Sequence, residues 1–132
     1  VMLCAVPGTG AAAEDEMGAS VRGVMEEHLR AYDAEDAEAV LRTIHTRSPE
    51  YDATRGALPE QFGALGVKAQ LVDFRTLGHD DEFVVARVKI KLVGSPGDDF
   101  QNNVTDNLVL FHQEGGVWKL WSDQVLGGEL TP

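Results

Sequence analysis

The carboxylate in this sequence that is best placed for acid–base chemistry is Asp106. Apolar residues alternate with it over positions 104–110, so in an extended strand Asp106 shares a face with apolar side chains. If that face lines a pocket, desolvation raises the pKa of Asp106 and enables it to donate or accept a proton. The alternative is that Asp106 points outward and pairs with Lys89 or Lys91 on the neighbouring strand.

A second candidate for proton transfer is His45, at the predicted end of a helix. Tyr51 and Arg55 follow on the next helix around the same bend, so Tyr51 could donate a hydrogen bond to a substrate. The alternative is that His45 satisfies free carbonyl groups in the last turn and interacts favourably with the helix dipole. Further candidates to line a pocket are Tyr32, Arg55, Asn107 and Trp121.

Metal and cofactor chemistry is not indicated. No two of the four histidines are spaced i, i+4 for a helix or i, i+2 for a strand. Cys4 is the only cysteine, so neither an internal disulfide nor a cysteine-based metal site is available. The sequence also has no Gly-rich phosphate loop and no Gly-x-Ser-x-Gly nucleophile motif. We therefore predict no metal and no cofactor.

The composition is that of a folded, acidic protein with one domain. The chain has 132 residues, of which 43% are hydrophobic and 25% charged. It has no run of roughly 18 apolar residues that would span a membrane. A net charge of −11 argues against nucleic acid as a partner, because such binding depends on Lys and Arg neutralising phosphates.

Residues 1–13 carry no charge and run from apolar residues into small ones, which is typical of the later part of a signal peptide. The AAA stretch at residues 11–13 fits a cleavage site, with Glu14 as the mature N-terminus. The positively charged start of a signal peptide is missing, and the alternative is a flexible apolar N-terminus. We expect a single mature domain over residues 14–132, exported to a bacterial periplasm or secreted.

Helical patterns fill the first half of the chain. Apolar residues recur at spacings of three and four over residues 15–33, which predicts an amphipathic helix. Asp36 is a suitable N-cap for a short second helix. The Ser-Pro pair at residues 48–49 predicts the start of a third helix. Pro59 predicts a kink or break in it near Leu58, because proline lacks the required N–H and clashes with the preceding turn.

The second half of the chain alternates with period two, the pattern of β-strands. The alternation is clearest where apolar residues are interleaved with Arg87, Lys89 and Lys91, which predicts one buried face and one basic face. The Gly pair at residues 115–116 predicts a tight hairpin turn. Strands are predicted at residues 67–77, 83–93, 101–113 and 117–125. Helices followed by an antiparallel sheet make an α+β fold.

This order of elements resembles the nuclear transport factor 2-like superfamily, which includes ketosteroid isomerase, scytalone dehydratase and the SnoaL-like cyclases. The YDAED junction at residues 32–36 is similar to the junction between the first helices of that superfamily. GVWKL at residues 116–120 is similar to its Gly-x-Trp-Lys-Ile strand opening. TIH at residues 43–45, followed by SPEY at 48–51, resembles an uncharacterised bacterial and archaeal branch, from which no activity carries over.

The resemblance implies three N-terminal helices packed in a strongly bent, mostly antiparallel four-strand sheet, a cystatin-like cone with an apolar pocket at its open end. Isomerase-type members need a carboxylate base together with hydrogen-bond donors for a developing oxyanion. This sequence departs from that pattern, because the region expected to carry the base reads TRSPE at residues 46–50 and looks like a helix start. The fold alone does not decide function.

Three functions follow from these observations. The favoured one is a non-catalytic exported domain that binds a small hydrophobic molecule or a protein partner. The second is an isomerase, dehydratase or cyclase with Asp106 or His45 as the proton-transfer group. The third is an association module that pairs with another protein through the sheet face around Phe111 and Trp121.

Both faces of the last two strands are apolar. Leu108 and Leu110 point opposite to Val109 and Phe111 in an extended strand. A sheet with only one covered face would instead alternate apolar and polar residues. We therefore expect a homodimer whose interface is formed by Val109, Phe111 and Trp121.

Overall fold

The computed structural model describes residues 2–64, 67–95 and 100–131, with side chains from residue 16 onward apart from 63 and 64. Three helices precede a four-stranded antiparallel sheet in the order β1-β2-β3-β4. This confirms the predicted α+β fold. The elements are α1 (Met2–Asp33), α2 (Ala37–Arg42), α3 (Tyr51–Ala64), β1 (Lys68–His79), β2 (Phe83–Val93), β3 (Asn103–Glu114) and β4 (Val117–Leu130).

Helix α1 begins at Met2, well before the start predicted at residue 15. The backbone of the proposed export segment is therefore part of the same helix, but its side chains lie outside the described residues, and export stays a prediction. No helix in the described residues is both long and apolar enough to cross a membrane. From residue 16 onward α1 buries Val21, Met25 and Leu29, whose spacing of four residues puts them on one face.

Helix α2 is capped as predicted. The Asp36 side chain accepts a hydrogen bond from the backbone N–H of Ala39 at 3.1 Å, which satisfies one of the free donors at the helix start. Val40 in the helix is fully buried. Beyond the helix, Ile44 forms a bridge to Leu120 of β4, so this short segment attaches the helices to the edge of the sheet.

Helix α3 differs from the prediction at two points. It begins at Tyr51, and residues 49–50 form a turn in which the Ser48 hydroxyl accepts from the N–H of Glu50 at 3.0 Å. The break expected near Leu58 is wrong, because α3 continues through Pro59 to Ala64. Pro59 lies on the exposed side, where water can satisfy the carbonyl that loses its helical donor, while Leu58 is fully buried and holds the helix against the core.

The sheet forms the other wall of the core. On β2, Val84, Ala86 and Val88 are fully buried while Arg87 and Lys89 face the other way, which confirms the predicted alternation. The turn before β2 lies at residues 80–82, because Asp80 accepts from the N–H groups of Glu82 and Phe83 at 2.8 Å. Strand β4 runs five residues past the predicted end at 125.

Extra residues in the two edge strands bend the sheet. The register places one unpaired residue at each of four bulges, and such bulges increase twist and curvature. The bulge residues are Val72 and Leu77 in β1 and Trp121 and Leu126 in β4. The tight turn between β3 and β4 is confirmed, with Gly115 and Gly116 at φ of 60° and 81°.

The orientation of β3 corrects the predicted dimer interface. Val109 and Phe111 are fully buried in the core against the helices, so neither is available to a second copy. Leu108 and Leu110 occupy the opposite, outer face and are half-buried. Trp121 packs instead with three aromatic rings at the end of the sheet, at centroid distances of 4.9 Å from His112, 5.0 Å from His45 and 5.9 Å from Phe83.

Candidate functional site

A cavity of about 400 Å³ lies between α1 and the inner face of the sheet, and we call it the α1–sheet cavity. A second cavity of about 240 Å³ adjoins it. Apolar side chains make up much of the wall of the first, and a few polar groups converge on it. Its apolar lining includes Met25, Leu29, Phe62, Ile90, Leu92 and Phe100, and its polar lining includes His28, Tyr32, Asn107 and Asp123.

Helix spacing explains the contribution of α1 to this cavity. Met25, His28, Leu29 and Tyr32 are separated by three or four residues along the helix, so their side chains project from one face. The rings of His28 and Tyr32 are in edge contact at 5.0 Å, and Tyr32 also contacts the ring of Phe62 at 6.0 Å. The two polar rings of α1 are thereby fixed beside apolar neighbours.

The hydrogen bonds of Thr43 determine the tautomer of His28. The hydroxyl of Thr43 donates to the carbonyl of Val40 at 2.6 Å, so its oxygen can only accept from the imidazole Nδ1, which lies 2.7 Å away. His28 therefore carries its proton on Nδ1. Within the described residues no hydrogen bond reaches Nε2, whose lone pair stays available at the cavity.

Burial keeps the His28 imidazole neutral. Desolvation lowers the pKa of His28 from 6.5 to about 4, because the charged form would lose its hydration inside the protein. At neutral pH the side chain is thus an uncharged base with one free nitrogen. It can accept a hydrogen bond or a proton from a molecule in the cavity.

Asp123 supplies the carboxylate of the cavity. It lies on β4 opposite Val109 of β3 and therefore points to the inner side of the sheet. Desolvation by the surrounding protein and the nearby charge of Glu50 raise the pKa of Asp123 to about 6. The residue is also solvent-exposed at the mouth of the cavity, so water screens part of both effects. Desolvation and the Asp123 charge together raise the pKa of Tyr32.

Glu50 is held next to Asp123 by the backbone. Its carboxylate accepts from the N–H of Asp123 at 3.0 Å, and its own N–H donates to the Ser48 hydroxyl. Ser48 in turn donates to the carbonyl of Trp121 at 2.5 Å. The turn before α3 is thus fastened to β4, which keeps two acidic side chains close together.

Asn107 is the most deeply buried polar group of the cavity wall, with 2% of its surface exposed. Its amide nitrogen donates to the carbonyl of Val88 at 3.3 Å and to the hydroxyl of Thr105 at 2.9 Å. Both amide hydrogens are used in this way, so the side-chain oxygen is left as an acceptor. Asn107 therefore adds a fixed polar group between β2 and β4.

Asp106 lies on the outer face, and the hypothesis that it is a pocket acid is wrong. Arg87 donates to both of its carboxylate oxygens, at 2.8 and 2.6 Å. This bidentate pair lowers the pKa of Asp106, the opposite of the expected effect of a pocket. The outward alternative is the one observed, although the partner is Arg87; Lys89 stands opposite Asp106 in the β2–β3 register.

His45 has a structural role at the end of the sheet, away from the α1–sheet cavity. It is 5% exposed, and both ring nitrogens are occupied. Nδ1 accepts from the N–H of Arg47 at 3.0 Å, while Nε2 donates to the carbonyl of Gln113 at 3.2 Å. With its lone pair engaged and its ring stacked on His112, His45 is not free to act as a base.

The other predicted site residues are divided between different surfaces. Tyr32 and Asn107 line the α1–sheet cavity, and Trp121 lines the adjoining one. Tyr51 borders a separate surface depression beside Lys119. Arg55 is exposed, pairs with Asp52 at 3.0 Å and lies 6.0 Å from the ring of Tyr51, outside both cavities.

The sequence analysis missed His28 and Asp123. A signal for His28 exists, since it lies four residues before Tyr32 and three after Met25 on the buried face of α1. Asp123 gives a weaker signal, because it only alternates with Val125 on a strand whose inner face was not known. No group of three or more metal-ligating side chains is found among the described residues.

Comparisons with solved structures agree on the fold. The chain is similar to a nuclear transport factor 2-like protein with a cystatin-like fold from Novosphingobium aromaticivorans, with 15% identity, coverage of 91% and 88% of the two chains, and a TM-score of 0.71. It is also similar to a protein of that organism provisionally named scytalone dehydratase, with 12% identity, coverage of 91% of this chain and 90% of the other, and a TM-score of 0.72. A third similar structure is a nuclear transport factor 2-like protein of unknown function from Pseudomonas putida, with 12% identity, coverage of 84% of this chain and 86% of the other, and a TM-score of 0.69.

These similarities confirm the nuclear transport factor 2-like, cystatin-like fold, and at such identities they show the fold alone. No curated protein matches the chain significantly. One family model matches residues 23–129, which include the C-terminal third of α1, the other two helices and all of the sheet up to Glu129. On the strength of that match, the chain belongs to the family of the C-terminal domain of the anti-sigma-I factor RsgI9.

Proposed function

We propose that this domain binds a small, largely apolar molecule in the α1–sheet cavity and does not convert it. The observation that carries the proposal is the cavity itself, about 400 Å³ in volume, with a largely apolar wall and a smaller set of polar groups that includes His28, Tyr32, Asn107 and Asp123. Pockets of roughly 300–1,000 Å³ with this balance of apolar area and a few oriented polar groups are typical of small-molecule sites.

The family supports binding over chemistry. Its name refers to the C-terminal domain of an anti-sigma factor, which is a regulatory protein. A domain attached to a regulator contributes by recognising a molecule or a partner, and it needs no turnover to do so. The fold itself is neutral on this point, because nuclear transport factor 2-like structures include both named enzymes and proteins without a known activity.

A neutral fluorescent probe tests this proposal. N-phenyl-1-naphthylamine brightens in apolar surroundings, so titration should give a saturable signal with one site per chain. Ala69→Phe fills the cavity from β1 and should abolish the signal, whereas Val72→Phe, on the same strand but 53% exposed and outside the cavity lining, should keep it. Equal binding by the two variants, or no saturable binding by the wild type, would refute the proposal.

A second candidate function, proton transfer on a bound apolar substrate, is favoured by one observation. Asp123 and His28 line the same apolar cavity, and their pKa values of about 6 and about 4 leave each able to accept a proton near neutral pH. The Asp123 carboxylate would remove a proton next to a carbonyl group, and Tyr32 would donate a hydrogen bond to the resulting oxyanion.

This second function is testable without knowing the substrate. An apolar ketone such as 2-tetralone exchanges its α-hydrogens in D₂O when a base acts on it, and NMR measures the rate. If the protein catalyses this reaction, exchange should be faster with the protein than in buffer alone. The exchange rate should fall at least tenfold in Asp123→Asn and stay unchanged in Asp106→Asn. Exchange at the buffer rate, or equal rates in the two variants, would refute catalysis and leave binding as the one proposed function of the cavity.

We also propose that two copies associate through the outer face of the sheet. Val85, Leu108 and Leu110 lie there and are partly exposed. Arg75 and Arg87 stand opposite each other on the same face, and the bidentate pair with Asp106 offsets one of these two charges. Sedimentation velocity should give a dimer at micromolar concentration that Leu110→Glu dissociates; a monomeric wild type would refute association.

A further inference from the structure

We infer, resting on the proposed function, that the ligand of the α1–sheet cavity is an apolar molecule that carries a protonated amine. Three polar groups of the cavity, on His28, Asn107 and Asp123, present acceptors that no described donor occupies, and the charged lining residues are mostly acidic. A ligand with a cationic, donor-rich end and an apolar body matches both properties.

The hydrogen-bonding groups of the cavity establish the first property. His28 presents the Nε2 lone pair, Asn107 presents its side-chain oxygen after both amide hydrogens are used, and Asp123 presents a carboxylate. Tyr32, Gln61 and Lys68 are the lining side chains with hydrogens left to donate to a ligand, and the latter two are solvent-exposed. A ligand that brings acceptors would leave these groups unpaired, at a cost of roughly 1–3 kcal/mol each.

The strand register brings two of these acceptors together. Asn107 stands opposite Val125 and Val109 stands opposite Asp123, so Asn107 and Asp123 are diagonal neighbours on the inner face of β3 and β4. The Cα atoms of such diagonal positions are about 7–8 Å apart, which is close enough for the two side-chain acceptors to converge on one ammonium group. His28 faces them from α1 across the same cavity.

The charges around the cavity establish the second property. Asp33, Glu35 and Asp123 line it, and Glu50 lies directly behind Asp123. Lys68 is the one Lys or Arg among its described lining residues, and its ammonium group already donates to the Asp33 carbonyl at 2.7 Å. A carboxylate or phosphate ligand would be repelled, whereas a cation relieves the repulsion between Asp123 and Glu50.

A primary amine fits the acceptors better than an uncharged alcohol. An ammonium group has three donors to offer to the acceptors of His28, Asn107 and Asp123, while a hydroxyl has one donor. Hydrogen bonds between charged groups are also about twice as strong as neutral ones. The amine is therefore expected to bind more tightly than an alcohol with the same apolar skeleton.

Three naphthalene probes of one shape test this inference on the whole chain at pH 7.5. They are 2-naphthylmethylamine, 2-naphthylmethanol and 2-naphthoate, and calorimetry gives their affinities. We expect the amine to bind at least fivefold more tightly than the alcohol and the carboxylate to bind most weakly. Backbone NMR shifts at Asn107 and Asp123 should report the amine in the cavity.

Two charge-matched variants separate the site from the general acidity of the chain. Asp123→Asn should reduce amine affinity about tenfold, whereas Asp106→Asn, which removes the same charge from the outer face, should not. Equal losses in the two variants, or a carboxylate or alcohol that binds as tightly as the amine, would overturn the inference while leaving the binding site in place. If neither the three probes nor N-phenyl-1-naphthylamine bind, the proposed function itself fails.

Discussion

Replacing His28 by asparagine should remove a large part of the acid sensitivity of the fold. Asparagine keeps an N–H close to the position of Nδ1, so the hydrogen bond to Thr43 is preserved, but the side chain cannot gain a proton. In the wild type, the folded protein resists protonation of His28 until about pH 4, whereas the unfolded chain binds that proton near pH 6.5. The stability linked to His28 is therefore complete above pH 6.5 and lost as the pH falls towards 4.

The magnitude follows from the two pKa values. A fall from 6.5 to about 4 corresponds to an upper limit of about 3 kcal/mol, at about 1.4 kcal/mol for each tenfold change in proton affinity. The ring is half-buried beside an open cavity, so water screens part of this and about 2 kcal/mol is a better expectation. That is a substantial part of the stability of an ordinary domain.

Urea unfolding followed by tryptophan fluorescence at pH 7.5, 5.5 and 4 measures this effect. Between pH 7.5 and 4 the wild type should lose about 2 kcal/mol more unfolding free energy than His28→Asn. Thr43→Ser is the matched control, because it keeps the accepting hydroxyl and should retain the wild-type pH dependence. If His28→Asn shows the same pH dependence of unfolding free energy as the wild type, burial does not keep His28 neutral and the reasoning is refuted.

Three further outcomes are expected. The raised pKa of Asp123 means that the folded state resists its ionisation, so Asp123→Asn should increase the unfolding free energy by about 1 kcal/mol at pH 7, after discounting for exposure, with little difference at pH 4 in urea titrations. Arg87→Met should leave probe affinity in the α1–sheet cavity within twofold, because its pair with Asp106 lies on the outer face; a larger change would link the two faces. Gly116 has a φ of 81°, so Gly116→Ala should lower the unfolding free energy by about 1 kcal/mol and Gly116→Asn should lower it by less. If both variants melt at the same temperature as the wild type, this turn does not require glycine.

The elements of this fold could be predicted where one local signal was sufficient. The alternation of β2, the Asp36 cap and the glycine turn between β3 and β4 each depend on neighbouring residues alone. The continuity of α3 through Pro59 could not be predicted in this way. It depends on which side of the helix is solvated and on how firmly Leu58 is packed, and both are properties of the tertiary structure.

The candidate site could be predicted only in part for a similar reason. Tyr32 and Asn107 were expected in a pocket and do line the cavity, but His28 and Asp123 line the same cavity only because α1 packs against β4. The bulge at Trp121 adds a residue to β4 just before Asp123. Such a bulge exchanges the faces on which later residues lie, so counting along the strand from Trp118 does not reveal where Asp123 points.

The pocket role considered for Asp106 and the dimer contacts expected of Val109 and Phe111 both require the same inner face for β3, and the structure shows the opposite one. Successive residues of a strand face opposite ways, so a single wrong choice of inner face for β3 moves every side chain on it. The basic stripe of β2 contained the missing information, because Lys89 stands directly opposite Asp106 in the β2–β3 register. Opposite residues of an antiparallel pair share a face, and the face with Lys89 was already predicted to be the solvated one. Pairing β2 with β3 before assigning the faces of β3 would have decided between the two orientations of Asp106 in favour of the outward one, which agrees with Asn107 as a pocket residue.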